Sequence, residues 1–334
     1  MQKEAPYNVI ESKIKFPFEA DGLRIIFMGT PDFAVESLRL LVENNYNIVG
    51  VITMPDKPAG RGHKIQFSPV KQYALDKNLP LLQPEKLKDE LFLEELRKLQ
   101  ADLQIVVAFR MLPEVVWSMP TYGTFNLHAS LLPQYRGAAP INWAIINGEK
   151  ETGATTFFLT HEIDTGKIIL QEKMTISETD NAETVHDRLM MMGAELVKKT
   201  VNLLIENKIE GIDQAQFIQS EKELKPAPKI FKETCQIDIS WDVEKVYNFV
   251  RGMSPHPTAW MELQFPNQGN QILLKIYETQ KEIIQHNLTP GTVETDGKKY
   301  AKIAFSNGFI QLKSVQVAGK KRMEIGELLR GMRF

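Results

Sequence analysis

The chain predicts an α/β fold, a mainly parallel and doubly wound sheet, followed by a smaller β-rich domain. Short, near-continuous apolar runs recur between residues 23 and 173, as expected of strands buried on both faces. Helical stretches separate most of them, which calls for parallel strands joined by crossover helices. From about residue 229 the pattern changes to short alternating runs punctuated by turn dipeptides. A length of 334 residues agrees with about two domains.

Residues 1–22 hold no sustained period and are read as an extension ahead of the first strand. That strand is 23–28, Leu-Arg-Ile-Ile-Phe-Met. Gly29-Thr30-Pro31 turns the chain, and Asp32 is expected to cap an amphipathic helix over 33–43. A second strand covers 48–53, and the proline- and glycine-punctuated stretch 55–66 reads as a loop. A helix over 90–99 and strands over 104–109 and 123–128 follow. The next loop is broken by Pro133 and Gly137, and Pro140 suits the first turn of a helix. Strands over 154–159 and 167–173 and a helix over 182–207 complete a domain spanning 23–207.

A linker is expected over 208–228, extended where Pro226 and Pro228 fall. In 229–334, residues 236–240 alternate and 243–252 form a short helix. Strand-like runs then cover 259–265, 271–279, 291–294, 299–305 and 308–317, with turns at 267–270, Asp296-Gly297 and Asn307-Gly308. A small, partly closed OB-like β-barrel fits this pattern.

Composition narrows the classes of function. Hydrophobic residues make 43% and charged residues 25%, as in soluble globular proteins. No apolar run approaches the ~18 residues of a membrane span, and the first residues lack the apolar core of a secretory signal. A cytoplasmic protein is expected. The lone Cys235 excludes an intrachain disulfide and a cysteine-rich zinc site, and reads as a packing residue. With a net charge of −2, contacts to nucleic acid have to come from local basic patches.

The first turn lacks Gly-x-Gly-x-x-Gly, and the chain has neither a P-loop nor a Gly-x-Ser-x-Gly elbow. The histidines show no metal-ligand spacing. A nicotinamide, nucleotide or metal cofactor is therefore disfavoured. What remains is Asn126 and His128, two apart at the end of a strand, where the period of two sets both on one face. Open α/β sheets build sites at such strand ends. A turn asparagine and a satisfied core histidine fit the spacing equally well. After the next strand comes Asp164-Thr-Gly, in which Asp164 serves either as a turn residue or as an acid returning beside His128. Asn, His and Asp together suit acyl or formyl transfer: amide and imidazolium stabilise an oxyanion, while the carboxylate aids removal of the amine proton.

The segments Asn126-Leu-His128, Ser130-Leu-Leu-Pro-x-x-Arg136-Gly and Asp164-Thr-Gly resemble the formyltransferases that use 10-formyltetrahydrofolate. The opening residues 23–34, the loop 55–64, Ser68-Pro-Val-Lys71, Ile239-Ser-Trp241, residues 255–260 and 318–322 extend the similarity to members that act on methionyl initiator tRNA. The resemblance implies a Rossmann-like catalytic domain and an OB-like tRNA-binding domain. It implies 10-formyltetrahydrofolate as the formyl donor, methionyl initiator tRNA as partner, and no metal or nucleotide cofactor. No membrane partner and a monomer are expected. Asn126, His128 and Asp164 match its catalytic trio. Phe109, Arg110, Met111, Ser130, Leu131, Leu132 and Pro133 match its folate pocket. Lys57, Arg61 and Lys64, with Lys320, Lys321 and Arg322, match its basic tRNA contacts. Two departures stand out: a short Arg110-Met-Leu-Pro113 turn, and 160–163, which is closer to the glycinamide ribonucleotide transformylases.

Two rivals remain at this level. One is a folate-dependent formyltransferase for a small amine, an amino sugar nucleotide or glycinamide ribonucleotide. The other is a non-catalytic RNA-binding protein working through the OB-like domain.

Overall fold

A computed structural model of the chain describes residues 22–59, 64–218, 220, 223–266 and 268–332. The chain divides into two compact units: residues up to Asn126 with Val197–Gly211, and Leu127–Leu196 with Ile212 onward.

In the first unit β1 (Ile25–Gly29) lies between β2 (Ile48–Ile52) and a strand at Leu103–Val107, parallel to both. Every residue of β1 and of Leu103–Val107 is buried, which explains their mainly apolar sequence; the exception, Gln104, accepts from the Thr124 hydroxyl at 3.0 Å. The helix α1 (Asp32–Glu43) follows β1. Its cap differs from expectation. Pro31 occupies the cap position, and Asp32 is the first helical residue, with Oδ1 accepting from the Phe33 N–H at 2.9 Å. The acid still favours the positive end of the helix.

The stretch expected as a loop over 55–66 contains a two-stranded hairpin, β3 (Lys57–Ala59) and β4 (Lys64–Gln66), in register Lys57↔Gln66. Residues 60–63, Arg61 among them, lie outside the described residues. A short helix α2 (Pro69–Asp76) comes next. Ser68 caps it, its Oγ accepting from the Lys71 N–H at 3.1 Å. The remaining elements of this unit are β5 (Leu81–Leu82), α3 (Glu90–Lys98), β6 (Leu103–Val107) and α4 (Glu114–Trp117).

The strand β7 (Thr124–His128) crosses the boundary between the units, and β8 (Glu151–Phe158) and β9 (Ile168–Thr175) complete a seven-stranded sheet in the order β5-β2-β1-β6-β7-β8-β9. The last pair is antiparallel. The long helix α6 (Ala182–Ile205), which follows the shorter α5 (Pro140–Ile146), also crosses the boundary. No described helix is long and apolar enough to cross a membrane.

The second unit also holds α7 (Val243–Met253), β10 (Ala259–Leu263), β11 (Ile272–Ile283), β12 (Val293–Thr295), β13 (Ala301–Phe305), β14 (Gly308–Val317), β15 (Met323–Glu324) and α8 (Ile325–Arg330). The strands form an antiparallel sheet in the order β10-β11-β14-β13-β12, with β15 on β14. Irregular register around Glu278 bends β11, as a barrel-like domain requires. Val246, Phe249, Val250 and Met253 of α7 share one core with Met261, Phe265, Leu274, Phe305 and Leu312. Cys235 is buried in the same core, and burial pushes its thiol pKa up. The alternating stretch 236–240 is not a strand. Asp238 Oδ1 accepts from the Ser240 N–H and hydroxyl and closes a local turn, leaving an isolated bridge between Gln236 and Trp260.

The helices α5 and α7 pack closely in this unit. Asn142 Nδ2 donates to the Gly252 carbonyl at 2.7 Å, and Ile146 joins the barrel core. Arg251, buried at 8% exposure, donates to the carbonyls of Ser177 and Asp180 at 3.1 and 2.7 Å. A Cβ on Gly252 would lie 2.5 Å from Ile146 Cγ1 and 2.9 Å from the Asn142 carbonyl oxygen. Gly252→Val should therefore destabilise the protein by about 2 kcal/mol through overpacking, read as a lower denaturant midpoint; an unchanged midpoint would show that α5 and α7 can separate freely.

Candidate active site

His128 ends β7 on the same face as Asn126, and the two are 6% exposed and half-buried respectively. The loop after it curls back through its own hydrogen bonds. Ser130 Oγ donates to the Gln134 carbonyl at 2.7 Å, and Thr155 Oγ1 donates to the Ser130 carbonyl at 2.7 Å. The Leu132 N–H donates to the same Thr155 oxygen at 3.2 Å. This folding brings the Tyr135 carbonyl to 2.8 Å from His128 Nε2. A carbonyl only accepts, so Nε2 carries a hydrogen and the neutral ring leaves Nδ1 bare. The Phe157 ring stands edge-on to the imidazole at 6.4 Å between centroids.

The bare Nδ1 faces Asp164, whose Oδ2 lies 3.8 Å away. That is too long for a hydrogen bond but close enough for a protonated ring to feel the carboxylate. The direct bond to His128 thus comes from Tyr135. Asp164 Oδ2 instead accepts from the Gly137 N–H at 2.9 Å.

Two residues here hold left-handed backbone, Tyr135 at φ 60 and Asp164 at φ 55. Each costs on the order of 1–3 kcal/mol and persists only where its surroundings enforce it. The Tyr135 hydroxyl donates to Glu149 Oε1 at 2.6 Å, and burial, then this bond, push its phenol pKa well above the ordinary tyrosine range. Residues 225–227, within the expected linker, run alongside the loop. The Tyr135 N–H donates to the Lys225 carbonyl at 2.7 Å, the Ala227 N–H to the Arg136 carbonyl at 2.8 Å, and the Ala139 N–H to the Ala227 carbonyl at 3.2 Å. On the Asp164 side, Gln214 Nε2 donates to the carbonyls of Asp164 and Gly166 at 2.9 and 2.8 Å. Its Oε1 accepts from Arg136 Nε and Nη2 at 3.1 and 2.6 Å.

The other residues singled out in the sequence fall as follows. Ser130, Leu132 and Pro133 are buried and Leu131 is half-buried, so the first three shape the loop. Phe109 and Arg110 are half-buried and Met111 is exposed, just beyond β6. The Arg110 guanidinium donates to the carbonyls of Glu85 and Pro84. Lys57 is exposed in β3, and Lys64 lies in β4. Lys320 and Lys321 are exposed in the turn between β14 and β15. Arg322 Nε donates to Ser314 Oγ at 2.7 Å, and its guanidinium lies 4.6 Å from the centre of the Tyr277 ring. Among the described residues, no group of three or more His, Cys, Asp or Glu is placed to hold a metal ion.

The sequence reading missed three participants: the Tyr135 carbonyl, the Gly137 N–H and Gln214. Backbone groups leave no side-chain signature. Gln214 is an uncharged residue within the expected linker, and no motif marks it out.

The turn that carries Asp164 admits no side chain at Gly166, where a Cβ would meet the Phe158 carbonyl oxygen at 1.7 Å. Gly166→Ala should cost about 2–3 kcal/mol of stability, whereas Gly269→Ala, with nothing within 4 Å, should leave the unfolding midpoint unchanged. Equal midpoints for the two variants would contradict this geometry.

Comparison with known proteins agrees over both parts of the chain. Residues 23–201 match the family model described as formyl transferase, and residues 229–333 match that described as formyl transferase, C-terminal domain. The methionyl-tRNA formyltransferase of Bacteroides thetaiotaomicron is 64% identical over 314 residues, covering 94% of this chain and 97% of the relative. That of Parabacteroides distasonis is 63% identical over 314 residues, covering 94% and 97%. Among solved structures, HypX from Aquifex aeolicus in complex with tetrahydrofolic acid shares the fold at a TM-score of 0.60 and 18% identity, over 92% of this chain and 47% of that one. On the strength of the two matched models and of relatives above 60% identity along nearly the whole length, the chain belongs to the formyl transferase family.

Proposed function

We propose that the chain transfers the formyl group of 10-formyltetrahydrofolate to the α-amine of methionyl initiator tRNA, for translation initiation in the cytoplasm. The observation that carries this reading is the Asp164 carboxylate standing 3.8 Å from Nδ1 of His128, in a chain 64% identical to a methionyl-tRNA formyltransferase over 94% of its length. Residues 23–207 are assigned the chemistry and 229–334 the tRNA, with 208–228 between them.

The chemistry follows from the atoms present. The amine nitrogen attacks the formyl carbon and the carbonyl oxygen takes up negative charge. A protonated His128 has a second N–H, at Nδ1, directed away from Tyr135, and the Asn126 amide on the same strand face supplies another donor. Asp164 stabilises the imidazolium and takes the amine proton through a water molecule. Collapse of the tetrahedral intermediate breaks the bond to the folate nitrogen, which leaves as tetrahydrofolate after gaining a proton. Each group acts where charge develops, so its removal should lower kcat more than it raises KM.

The folate is assigned to the loop 130–133 and the turn at Phe109–Met111. With the Arg110 guanidinium engaged on backbone carbonyls, that turn offers the folate chiefly its backbone and the exposed Met111. Lys57 and Lys64 on the hairpin, Arg61 between them in sequence, and Lys320, Lys321 and Arg322 near the turn between β14 and β15 are assigned to tRNA phosphates. Phosphate contacts set affinity and its salt dependence.

The direct test is formyl transfer to methionyl initiator tRNA, with elongator methionyl-tRNA and free methionine as controls. Transfer to initiator tRNA alone is expected. Folate turnover on a small amine in place of tRNA would reassign the acceptor. His128→Ala and Asp164→Ala should each lower kcat by roughly 1,000-fold or more while leaving the fold intact, and near-normal turnover in either would sink the assignment of that residue. Arg61→Ala should raise the KM for tRNA and reduce the slope of its dependence on log salt by about one. An unchanged slope would remove Arg61 from the interface.

A further inference from the structure

Gln214 plays no part in the chemistry above, yet it is 1% exposed and its amide is engaged wholly within the protein. It begins a short 3-10 turn, Gln214–Phe217, capped by Asp213 Oδ1 accepting from the Ala215 N–H at 2.9 Å. Just before it, Ile212 exchanges two backbone hydrogen bonds of 2.8 Å with Ile168 at the start of β9. The chain is thereby fixed at the point where the glutamine enters. Its Nε2 then bridges the carbonyls of Asp164 and Gly166, and its Oε1 holds Arg136. Arg136 directly precedes Gly137, whose N–H binds the Asp164 carboxylate. One side chain therefore joins both arms that set Asp164: the left-handed turn bearing it and the loop bearing its backbone donor.

The residue type matters. Two carbonyls require a donor and a guanidinium requires an acceptor, and only a carboxamide supplies both from one planar group. A glutamate would strengthen the pair with Arg136 but turn an oxygen towards two carbonyl oxygens. A methionine would fill the volume and satisfy none of the four contacts.

We propose that Gln214 is a positioning residue for Asp164, holding its carboxylate against the Gly137 N–H and opposite His128 during formyl transfer. The proposal rests on the function assigned above. It requires the carboxamide itself, so two variants of similar size distinguish it from mere packing.

The test uses the full chain and its Gln214→Met, Gln214→Glu and Asp164→Ala variants, with two readouts. The first needs no activity: the amide proton resonance of Gly137, shifted downfield by its bond to a carboxylate. Both Gln214 variants should move that resonance in the direction seen in Asp164→Ala. The second is kinetic. Misplacement of a reacting group by about 1 Å costs on the order of 100-fold, so kcat should fall by roughly that factor in both Gln214 variants. KM for tRNA and for the folate should change little, and Gln214→Met should have no further effect in the Asp164→Ala background. A Gly137 resonance unchanged in folded Gln214→Met and Gln214→Glu overturns the proposal, as does wild-type kcat in either. Failure of the wild-type protein to transfer formyl groups would instead count against the function, and the Gly137 resonance would still decide the positioning role.

Discussion

The hydrogen bond between His128 Nε2 and the Tyr135 carbonyl is the contact on which the rest of the site depends. It uses the ring nitrogen that points into the protein and leaves Nδ1 for chemistry. It also dictates the loop. For the carbonyl to reach the ring, Tyr135 adopts left-handed backbone. Its side chain is then held by Glu149 and its N–H by Lys225. The same curl presents the N–H of Gly137, two residues on, to Asp164. The imidazole and the carboxylate thus each answer to a backbone group of one loop, with only Arg136 between the two residues that supply them. Backbone donors and acceptors lose little freedom on binding, which favours a preorganised site over one assembled by the substrate.

Support for that loop comes from distant parts of the sequence. Residues 225–227 pair with it, α5 leaves its far end, and α5 in turn packs on α7, which belongs to the core of the barrel-like sheet. Within the second unit the loop is therefore braced by the C-terminal elements. Truncation beyond the first matched family model would remove residues 225–227 and Gln214 together. The C-terminal elements therefore hold in place the loop that carries Tyr135 and Gly137.

Much of this was legible in the sequence. Strands buried on both faces announce themselves as apolar runs, which is why β1, β2 and β6 fall where the residues suggest. The helix at α7 and the strands from β10 to β14 were likewise marked by period and by turn dipeptides such as Asn307-Gly308. The errors have physical causes. Asp32 looks like a cap, but the chain enters α1 through Pro31, so the acid falls one position later. Residues 236–240 alternate like a strand, yet Asp238 satisfies local donors and turns the chain. The hairpin in 57–66 was hidden by its proline and glycines. At the site, the spacing of Asn126 and His128 and the turn signature at Asp164 were visible. The groups that hold them were not, because two are backbone atoms and the third is a glutamine within the expected linker, marked by no motif.

The central claim is that Tyr135 determines which nitrogen of His128 faces Asp164. The most direct measurement is the 15N NMR spectrum of the imidazole, recorded in the folded protein at a pH where the ring is neutral. One-bond coupling to a proton at Nε2, with Nδ1 showing the shift of a bare nitrogen, is the predicted result. A proton on Nδ1 would mean that the ring is oriented by Asp164 and that the Tyr135 carbonyl does not hold it, contradicting the account.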